Sequence, residues 1–269
     1  MTETLDFKRD RWGRPLIPDA EGKLMKPTPY QRPSSLGKVL SDDTQLSKWL
    51  QRQVVWGLAK SRPLQMLASS VRDPNSDRDK LSEIVSRALE AAGSSSGADY
   101  GTSVHACVEA MLTGGDLAMF PDDTRKAADV ALNLVYDKGF TPMLVEQAVV
   151  NDEIGCAGTF DLLCHDQDYQ VYIFDLKTSK STAPRYSALS WAVQLSVYAY
   201  AENLYDLETQ ERREWDAAPS LERAYVIHVP SDNIEKASLI KLDIEAGYRA
   251  ALLANTVKNC RKHKFIDPS

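Results

Sequence analysis

The stretch from residue 158 to residue 177 constrains the fold more than any other part of the chain. It contains two apolar segments rich in β-forming residues, Gly158–Cys164 and Val171–Lys177, with six residues between them. A polar connection of this length is compatible with a β-hairpin, so we expect the two segments to pair as antiparallel strands. The first strand carries Asp161 and the second carries Asp175.

The alternation of side chains along a strand decides how the charged groups of this hairpin are arranged. Residues two apart point to the same face, so we expect Asp175 and Lys177 to lie side by side and Leu176 to face away. Two carboxylates and one amine on one sheet surface suit a divalent metal ion. The alternative is a pair of strand-end acids, Asp161 and Asp175, that Lys177 neutralises.

The bulk properties describe an ordinary globular chain. At 269 residues, with 43% apolar and 26% charged residues, it can bury one substantial core with an appended lobe. No apolar run approaches the ~20 residues that span a bilayer, and the N-terminus lacks the apolar centre of a signal peptide. These features predict a cytoplasmic protein with no membrane partner. The four cysteines are widely spaced, which favours reduced thiols over a disulfide framework or a cysteine metal site.

Charge is distributed unevenly along the chain. Residues 1–72 contain 13 Lys and Arg against 7 Asp and Glu, a net charge of +6 within a chain of net charge −6. This contrast is typical of a basic, nucleic-acid-binding arm on an acidic body, although a solvated leader would have the same composition. Lys48, Arg52 and Lys60 lie on one face of a predicted helix in this region, where they either contact phosphate or face solvent.

Turn and linker residues divide the chain into two parts. Five prolines before residue 34 predict an extended arm, and helical patterns between residues 41 and 93 predict a helical lobe. The Ser-Ser-Ser-Gly segment at residues 94–97 is the best boundary, which gives an arm and lobe over residues 1–97 and a core over residues 98–269. The core pattern is a helix, three strands, a helix at 186–204, one or two strands and a last helix. It predicts an α/β fold with a central sheet flanked by helices.

Several polar residues of the core allow both a chemical and an ordinary structural interpretation. His105 and Glu109 stand one turn apart on a predicted helix, and Glu146 is the one acidic residue of the strand before the hairpin. Gln194 and Tyr198 also stand one helical turn apart. The ordinary interpretations are a histidine and a Gln–Tyr pair that pack, and an edge carboxylate that faces solvent.

The predicted order of helices and strands, with Asp161 followed by Asp175-Leu176-Lys177, resembles the PD-(D/E)XK nuclease superfamily. That superfamily has a restriction-endonuclease-like αβββαβ core with a mixed central sheet. Three motifs resemble its RecB-type exonuclease branch: the GxxxH helix at Gly101–His105, the GxxD strand at Gly158–Asp161 and the QxxxY helix at Gln194–Tyr198. The resemblance covers residues 98–230 and leaves the first 97 residues outside it. Because the motifs occur in the right order on the right predicted elements, their combination is much more specific than any one of them.

The resemblance implies a Mg²⁺ or Mn²⁺ site. Its implied ligands are the side chains of His105, Asp161 and Asp175 and the main-chain carbonyl of Leu176. An iron–sulfur cluster is bound in a CRISPR-associated family of the same branch, through four cysteines of which three lie near the C-terminus. This chain has only Cys260 there, so we expect no cluster, as in phage-type exonucleases of this branch.

The resemblance also implies roles around the metal. Lys177 would lie beside the attacking water, and Glu146 would contact the metal or hydrogen-bond that water. The implied substrate contacts come from a helix and from the loop after the hairpin: Gln194, Tyr198, Thr178 and Lys180. For the loop residues Thr178 and Lys180, the alternative is that they take no part in substrate binding.

The leading hypothesis is a divalent-metal-dependent DNA exonuclease that serves recombination, repair or phage DNA processing, in the host cytoplasm if a phage encodes it. The alternatives are an endonuclease of the same superfamily and a catalytically inactive, nucleic-acid-binding or complex-forming protein on this scaffold. The sequence leaves open the polarity of digestion and the choice among single-stranded DNA, duplex DNA and RNA. It also leaves open the oligomeric state and a recombination or replication partner protein.

Overall fold

A seven-stranded mixed sheet organises the chain in a computed structural model, which describes residues 6–18, 27–94 and 96–266. Numbered along the chain after a short N-terminal pair (β1, Leu16–Ile17; β2, Thr28–Pro29), the strands are β3 (Thr141–Asn151), β4 (Cys156–His165), β5 (Val171–Lys177), β6 (Asn203–Tyr205), β7 (Arg212–Arg213), β8 (Arg223–His228) and β9 (Ser238–Asp243). Their order is β7-β6-β3-β4-β5-β8-β9. The pairing of β5 with β8 is parallel, and the other five pairings are antiparallel.

Helices precede, interrupt and follow the sheet. They are α1 (Pro33–Gly37), α2 (Thr44–Lys60), α3 (Arg62–Ser69), α4 (Arg78–Ala91), α5 (Ser96–Thr113), α6 (Asp122–Asp137), α7 (Pro184–Ala199) and α8 (Ile244–Cys260), with short 3₁₀ segments at Lys38–Leu40 and Ile234–Lys236. The predicted mixed α/β fold with a restriction-endonuclease-like sheet and flanking helices is confirmed. Among the described helices, none has the length and hydrophobicity needed to cross a bilayer.

The hairpin expected between residues 158 and 177 is present as β4 and β5. The two strands pair antiparallel with Leu162 opposite Phe174, so Asp161 and Asp175 each stand one residue beyond that pair. The apolar, largely β-branched or aromatic run of β5 is buried from Val171 to Leu176. A strand buried on both faces is typical of the centre of a mixed sheet, and it places Asp175 in an apolar interior.

Helix α7 is the crossover that allows β5 and β8 to run parallel. A parallel pair needs a long connection, and here α7 supplies its helical part and packs on the sheet. The second half of the helix is buried, including Leu195, which joins Phe160 and Ile173 in the main core. This packing brings the side chains of α7 to the face of β5 that carries Asp175.

The structure has one strand that the sequence analysis assigned to a helix. The helix predicted over residues 186–204 ends at Ala199, and residues 203–205 form β6 instead. Leu204 and Tyr205 are buried where β6 pairs with β3. Three residues are too few to show a strand period, so this edge of the sheet becomes visible only when β3 provides its partner.

The described residues divide into two compact units, and the division falls within α5. One unit comprises residues 42–102, and the other comprises the described residues up to 41 and from 103 onward. The N-terminal arm therefore packs with the sheet: Phe7 stacks on Tyr205 with ring centroids 5.4 Å apart, and Leu36 is buried beside Val193 and Val197. The boundary after residue 97 stays a prediction.

Candidate functional site

Three separate elements bring together an imidazole and two carboxylates. His105 comes from α5, Glu146 from β3 and Asp161 from β4. One side-chain ligand atom from each lies within 4.8 Å of the other two, close enough for all three to hold a single ion. Nδ1 of His105 is 3.3 Å from Oδ2 of Asp161, and a small cavity adjoins the three side chains.

A main-chain hydrogen bond links this group to the next strand. The backbone N–H of Leu176 donates to Oδ2 of Asp161 at 2.6 Å. The backbone of Leu176 therefore lies directly beside Asp161, and Leu176 also lines the cavity. Its carbonyl as a metal ligand stays a prediction.

Asp175 lies next to this group and has its own partners. It is only 2% exposed, and its Oδ1 accepts a hydrogen bond of 3.0 Å from Nε2 of Gln194, which also donates to the hydroxyl of Tyr198 at 3.2 Å. Its Oδ2 pairs with the ammonium group of Lys177 but has no well-aligned hydrogen bond within the described residues. A buried carboxylate oxygen of this kind can still coordinate a cation.

Glu146 has an unusual backbone. Its φ of 50° lies in the left-handed region, which costs a residue with a side chain ~1–2 kcal/mol. The residue lies between the paired positions Val145–Leu162 and Gln147–Phe160, and the β3–β4 register skips it. Local strain at a carboxylate that converges on an imidazole is a reason to suspect function at this position.

The charges around His105 favour its protonated form in the metal-free protein. Burial alone would lower the pKa of His105, but the charge and hydrogen bond of Asp161, with help from the charge of Asp175, raise it to about 9. Burial has the opposite effect on Asp161 and would raise its pKa, yet the positive charges of His105 and Lys177 hold the pKa of Asp161 below its usual range. The two groups therefore form an ion pair, and a metal ion that takes His105 as a ligand must displace a proton.

The other carboxylates show that the site has an excess of negative charge. Burial, reinforced by the charge of Asp161, raises the pKa of Glu146 to about 8. Burial also raises the pKa of Asp175 to about 6, although Lys177 opposes this effect. The pKa of Lys177 itself is raised despite burial, because Asp175 and Asp161 stabilise its charged form. Crowded carboxylates that resist ionisation fit a bound divalent cation, whose charge would relieve their repulsion.

The predicted substrate-contacting residues fall into two groups. Gln194 and Tyr198 are 8% and 4% exposed, and their recorded polar contacts join them to each other and to Asp175. Thr178 is half-buried and Lys180 is exposed, both in the segment between β5 and α7. Contact of any of the four with a substrate stays a prediction.

Two residues near the site were given no role from the sequence. Glu109 lines the cavity together with His105, and the only available signal was its position four residues later on the same helix. His228 stands beside Lys177 across the parallel pair, and its ring Nε2 is 3.2 Å from the carbonyl oxygen of Ser179. It fixes the start of the loop after β5, which no sequence spacing indicated.

The glycine of the Gly158–Asp161 motif has a packing reason. A Cβ at Gly158 would come within 2.9 Å of Cδ of Pro33 and 3.2 Å of Cε1 of Tyr198. The motif glycine on β4 and the motif tyrosine on α7 are therefore direct neighbours, and the small residue lets the helix approach the strand.

The fold and this geometry define a class of protein in which a mixed sheet presents carboxylates and a lysine for a divalent cation. A family model of the PD-(D/E)XK nuclease superfamily matches residues 72–228, more than half of the chain, and the protein belongs to this superfamily. Membership implies a metal-dependent nuclease and hence a nucleic-acid substrate. Among curated proteins, no match is found.

Proposed function

We propose that this protein is a DNA exonuclease of the RecB-type branch that requires Mg²⁺ or Mn²⁺. The observation that carries the proposal is the convergence of His105, Glu146 and Asp161 beside the Asp175–Lys177 pair. The metal ligands would be the side chains of His105, Asp161 and Asp175, with the carbonyl of Leu176 as a main-chain ligand. Glu146 would contact the metal or hydrogen-bond the attacking water. The combination of imidazole and carboxylate donors suits Mn²⁺ as well as Mg²⁺.

A bound divalent cation supplies positive charge for the phosphate oxygens on which negative charge develops during hydrolysis. Lys177 adds to this stabilisation and orients the attacking water, because its raised pKa keeps it protonated as a donor. Glu146 is the candidate proton acceptor for that water, since its carboxylate lies beside His105 and Asp161 at the same site.

Gln194 has a positioning role in this proposal. Its amide holds one oxygen of Asp175, while Lys177 holds the other, so the carboxylate is fixed in a single orientation. Tyr198 in turn accepts a hydrogen bond from the same amide, which fixes the amide's own rotamer. Thr178 and Lys180, after the end of β5, are proposed to contact the phosphate backbone of the substrate.

The biological setting belongs to the same proposal. The RecB-type motifs favour an enzyme of recombination, repair or phage DNA processing that acts in the cytoplasm. The single C-terminal-region cysteine, Cys260, favours an enzyme without an iron–sulfur cluster. A recombination or replication partner protein would fit this setting.

An exonuclease should release nucleotides from linear DNA in Mg²⁺ or Mn²⁺ and leave covalently closed circular DNA intact. The measurement uses linear duplex and single-stranded DNA labelled at the 5′ or the 3′ end, with a closed circle of the same sequence and parallel reactions in EDTA. Early release of one end label as a mononucleotide or short oligonucleotide would identify the polarity.

Two other outcomes of this experiment would favour the alternative functions. Cutting of the closed circle would replace the exonuclease by an endonuclease, which uses the same carboxylates and lysine. Tight DNA binding without cleavage in either metal would instead support a nucleic-acid-binding protein on a nuclease scaffold.

A further inference from the structure

Helix α2 has two different faces within its own compact unit. Gly57 is buried against α4, and a Cβ there would come within 1.8 Å of the carbonyl oxygen of Ala88. The neighbouring positions Leu50, Val54 and Leu58 are partly buried along the same face. The backbone contact at Gly57 therefore fixes which face of α2 turns away from α4.

The outward face carries an exposed aromatic ring among cations. Trp56 is 54% exposed and Val55 is 67% exposed, although both are large apolar side chains. Lys48 and Arg52 precede Trp56 at four-residue intervals, so the three lie on one stripe of the helix. Nζ of Lys60, four residues further on, is 4.8 Å from the centroid of the Trp56 ring.

The charge of this stripe is one-sided. Residues 44–69, which contain α2 and α3, include four Lys and Arg and no Asp or Glu, in a chain whose net charge is −6. Within the described residues, Lys48, Arg52 and Lys60 have no ion-pair partner. Helix α4 of the same unit shows the ordinary pattern, in which Arg87 pairs with Glu83 one turn away at 3.2 Å. The stripe therefore complements a polyanion.

We infer that the stripe of Lys48, Arg52, Trp56 and Lys60 binds single-stranded DNA. An exposed indole offers a face on which an unpaired base stacks, and cations spaced one helical turn apart contact successive phosphates. Nζ of Lys60 lies over the Trp56 ring, so a base that stacks on Trp56 either displaces this ammonium group or uses the other face, and in both cases the group stays close enough to contact a phosphate.

The chemistry of the stripe favours this occupant over two others. Duplex DNA would satisfy the cations but hides its base faces, which would leave Trp56 without a stacking partner. A second copy that docked through the same stripe would place like charges opposite each other. Only an unpaired strand offers both phosphates and stacking faces.

This inference rests on the proposed function, in which the substrate is DNA, and it adds a binding surface on residues that the nuclease site does not use. A strand held on α2 would stay attached to the enzyme between successive hydrolytic steps. The stripe would therefore raise affinity for substrates with an unpaired strand and leave the chemical step unchanged.

The test measures fluorescence anisotropy of a labelled oligothymidylate of about 20 nucleotides with the full-length protein in EDTA, where hydrolysis is stopped. Trp56→Ala should weaken binding by about tenfold, and Trp56→Phe should restore most of it. Lys48→Glu/Arg52→Glu should weaken binding and lower the slope of log affinity against log salt. Arg87→Glu is the charge-reversal control for a single position, because Arg87 lies on α4 and already pairs with Glu83.

Unchanged affinity in both Trp56→Ala and Lys48→Glu/Arg52→Glu would overturn the inference. So would a change in oligomeric state of Trp56→Ala, measured by light scattering, with no loss of DNA affinity, since the stripe would then be a protein interface. Equal loss of blunt-duplex and single-strand affinity in Trp56→Ala would exclude base stacking.

Binding in EDTA separates this inference from the proposed function. A wild-type protein that hydrolyses DNA in Mg²⁺, while its stripe variants bind normally, would refute the stripe and retain the nuclease. If the stripe variants lose DNA binding and the wild-type protein does not hydrolyse DNA, the stripe is retained and the nuclease is refuted.

Discussion

Replacing Lys177 by methionine should lower the rate of DNA hydrolysis in Mg²⁺ by about 100-fold or more, the usual effect of removing a positioned donor or acid–base group. The substitution keeps the length and apolar stem of the side chain but removes its charge. Asp175 would lose the partner of its Oδ2, and the pKa of Asp175 would rise further because Lys177 now opposes the effect of burial. The measurement is the single-turnover rate on linear DNA at saturating enzyme.

Two further variants make this result specific. Lys241→Met removes an exposed lysine from β9 and should leave the rate unchanged. Lys177→Arg keeps the charge and should retain more activity than Lys177→Met, although its planar group does not reproduce the ammonium geometry. A Lys177→Met protein that is folded, as judged by circular dichroism, and hydrolyses DNA at the wild-type rate would remove Lys177 from the mechanism.

Replacing Glu146 by glutamine should stabilise the metal-free protein at pH 8 by about 1–3 kcal/mol, because a buried carboxylate no longer has to ionise. Below about pH 4.5, Glu146 is protonated in both the folded and the unfolded chain, so its ionisation does not lower the free energy of unfolding. As the pH rises to about 8, the unfolded chain releases the proton first, and the folded state loses stability. The advantage of the variant should therefore grow across this range.

Glycine at this position should add a second gain of about 1 kcal/mol, since Glu146→Gly also removes the unfavourable φ of 50°. The measurement is unfolding by urea in EDTA at several pH values, with exposed Glu208→Gln as the control. Both Glu146 variants should gain less stability than the wild type when Mn²⁺ is added, because they lack a negative charge that would attract the cation. Equal stability of wild type and Glu146→Gln at pH 8 would contradict the assigned environment.

Much of the site was visible in the sequence because its residues lie on regular elements. The two apolar segments that carry Asp161 and Asp175, with their short polar connection, predicted the hairpin, and the resemblance added His105 from a helix far away in the chain. Spacing alone could not show that Asp175 would be almost fully buried, since this depends on how α7 packs on β5. The contact between Gln194 and Asp175 follows from the same packing, so the sequence suggested only a substrate-facing helix.

Local irregularities were the features that the sequence concealed. Residues 143–150 are an apolar run interrupted only by Glu146 and Gln147, as in an ordinary strand, yet Glu146 adopts a left-handed backbone. The prolines predicted an extended arm over residues 1–33, but they did not indicate that the short helix α1 packs against α7 and α8, with Pro33, Leu36 and Gly37 buried. Neither the left-handed residue nor the packing of α1 leaves a periodic signal in the sequence.

Hydrolysis of linear DNA by the wild-type protein and by Asp161→Asn, each in Mg²⁺ and in EDTA, tests the central claim most directly. Asparagine keeps the shape of Asp161 but removes the charge that pairs with His105 and would hold the cation. We expect metal-dependent hydrolysis by the wild type, loss of it in EDTA, and a decrease of about 1,000-fold or more in Asp161→Asn. Hydrolysis that survives EDTA, or that Asp161→Asn retains at the wild-type rate, would contradict the account.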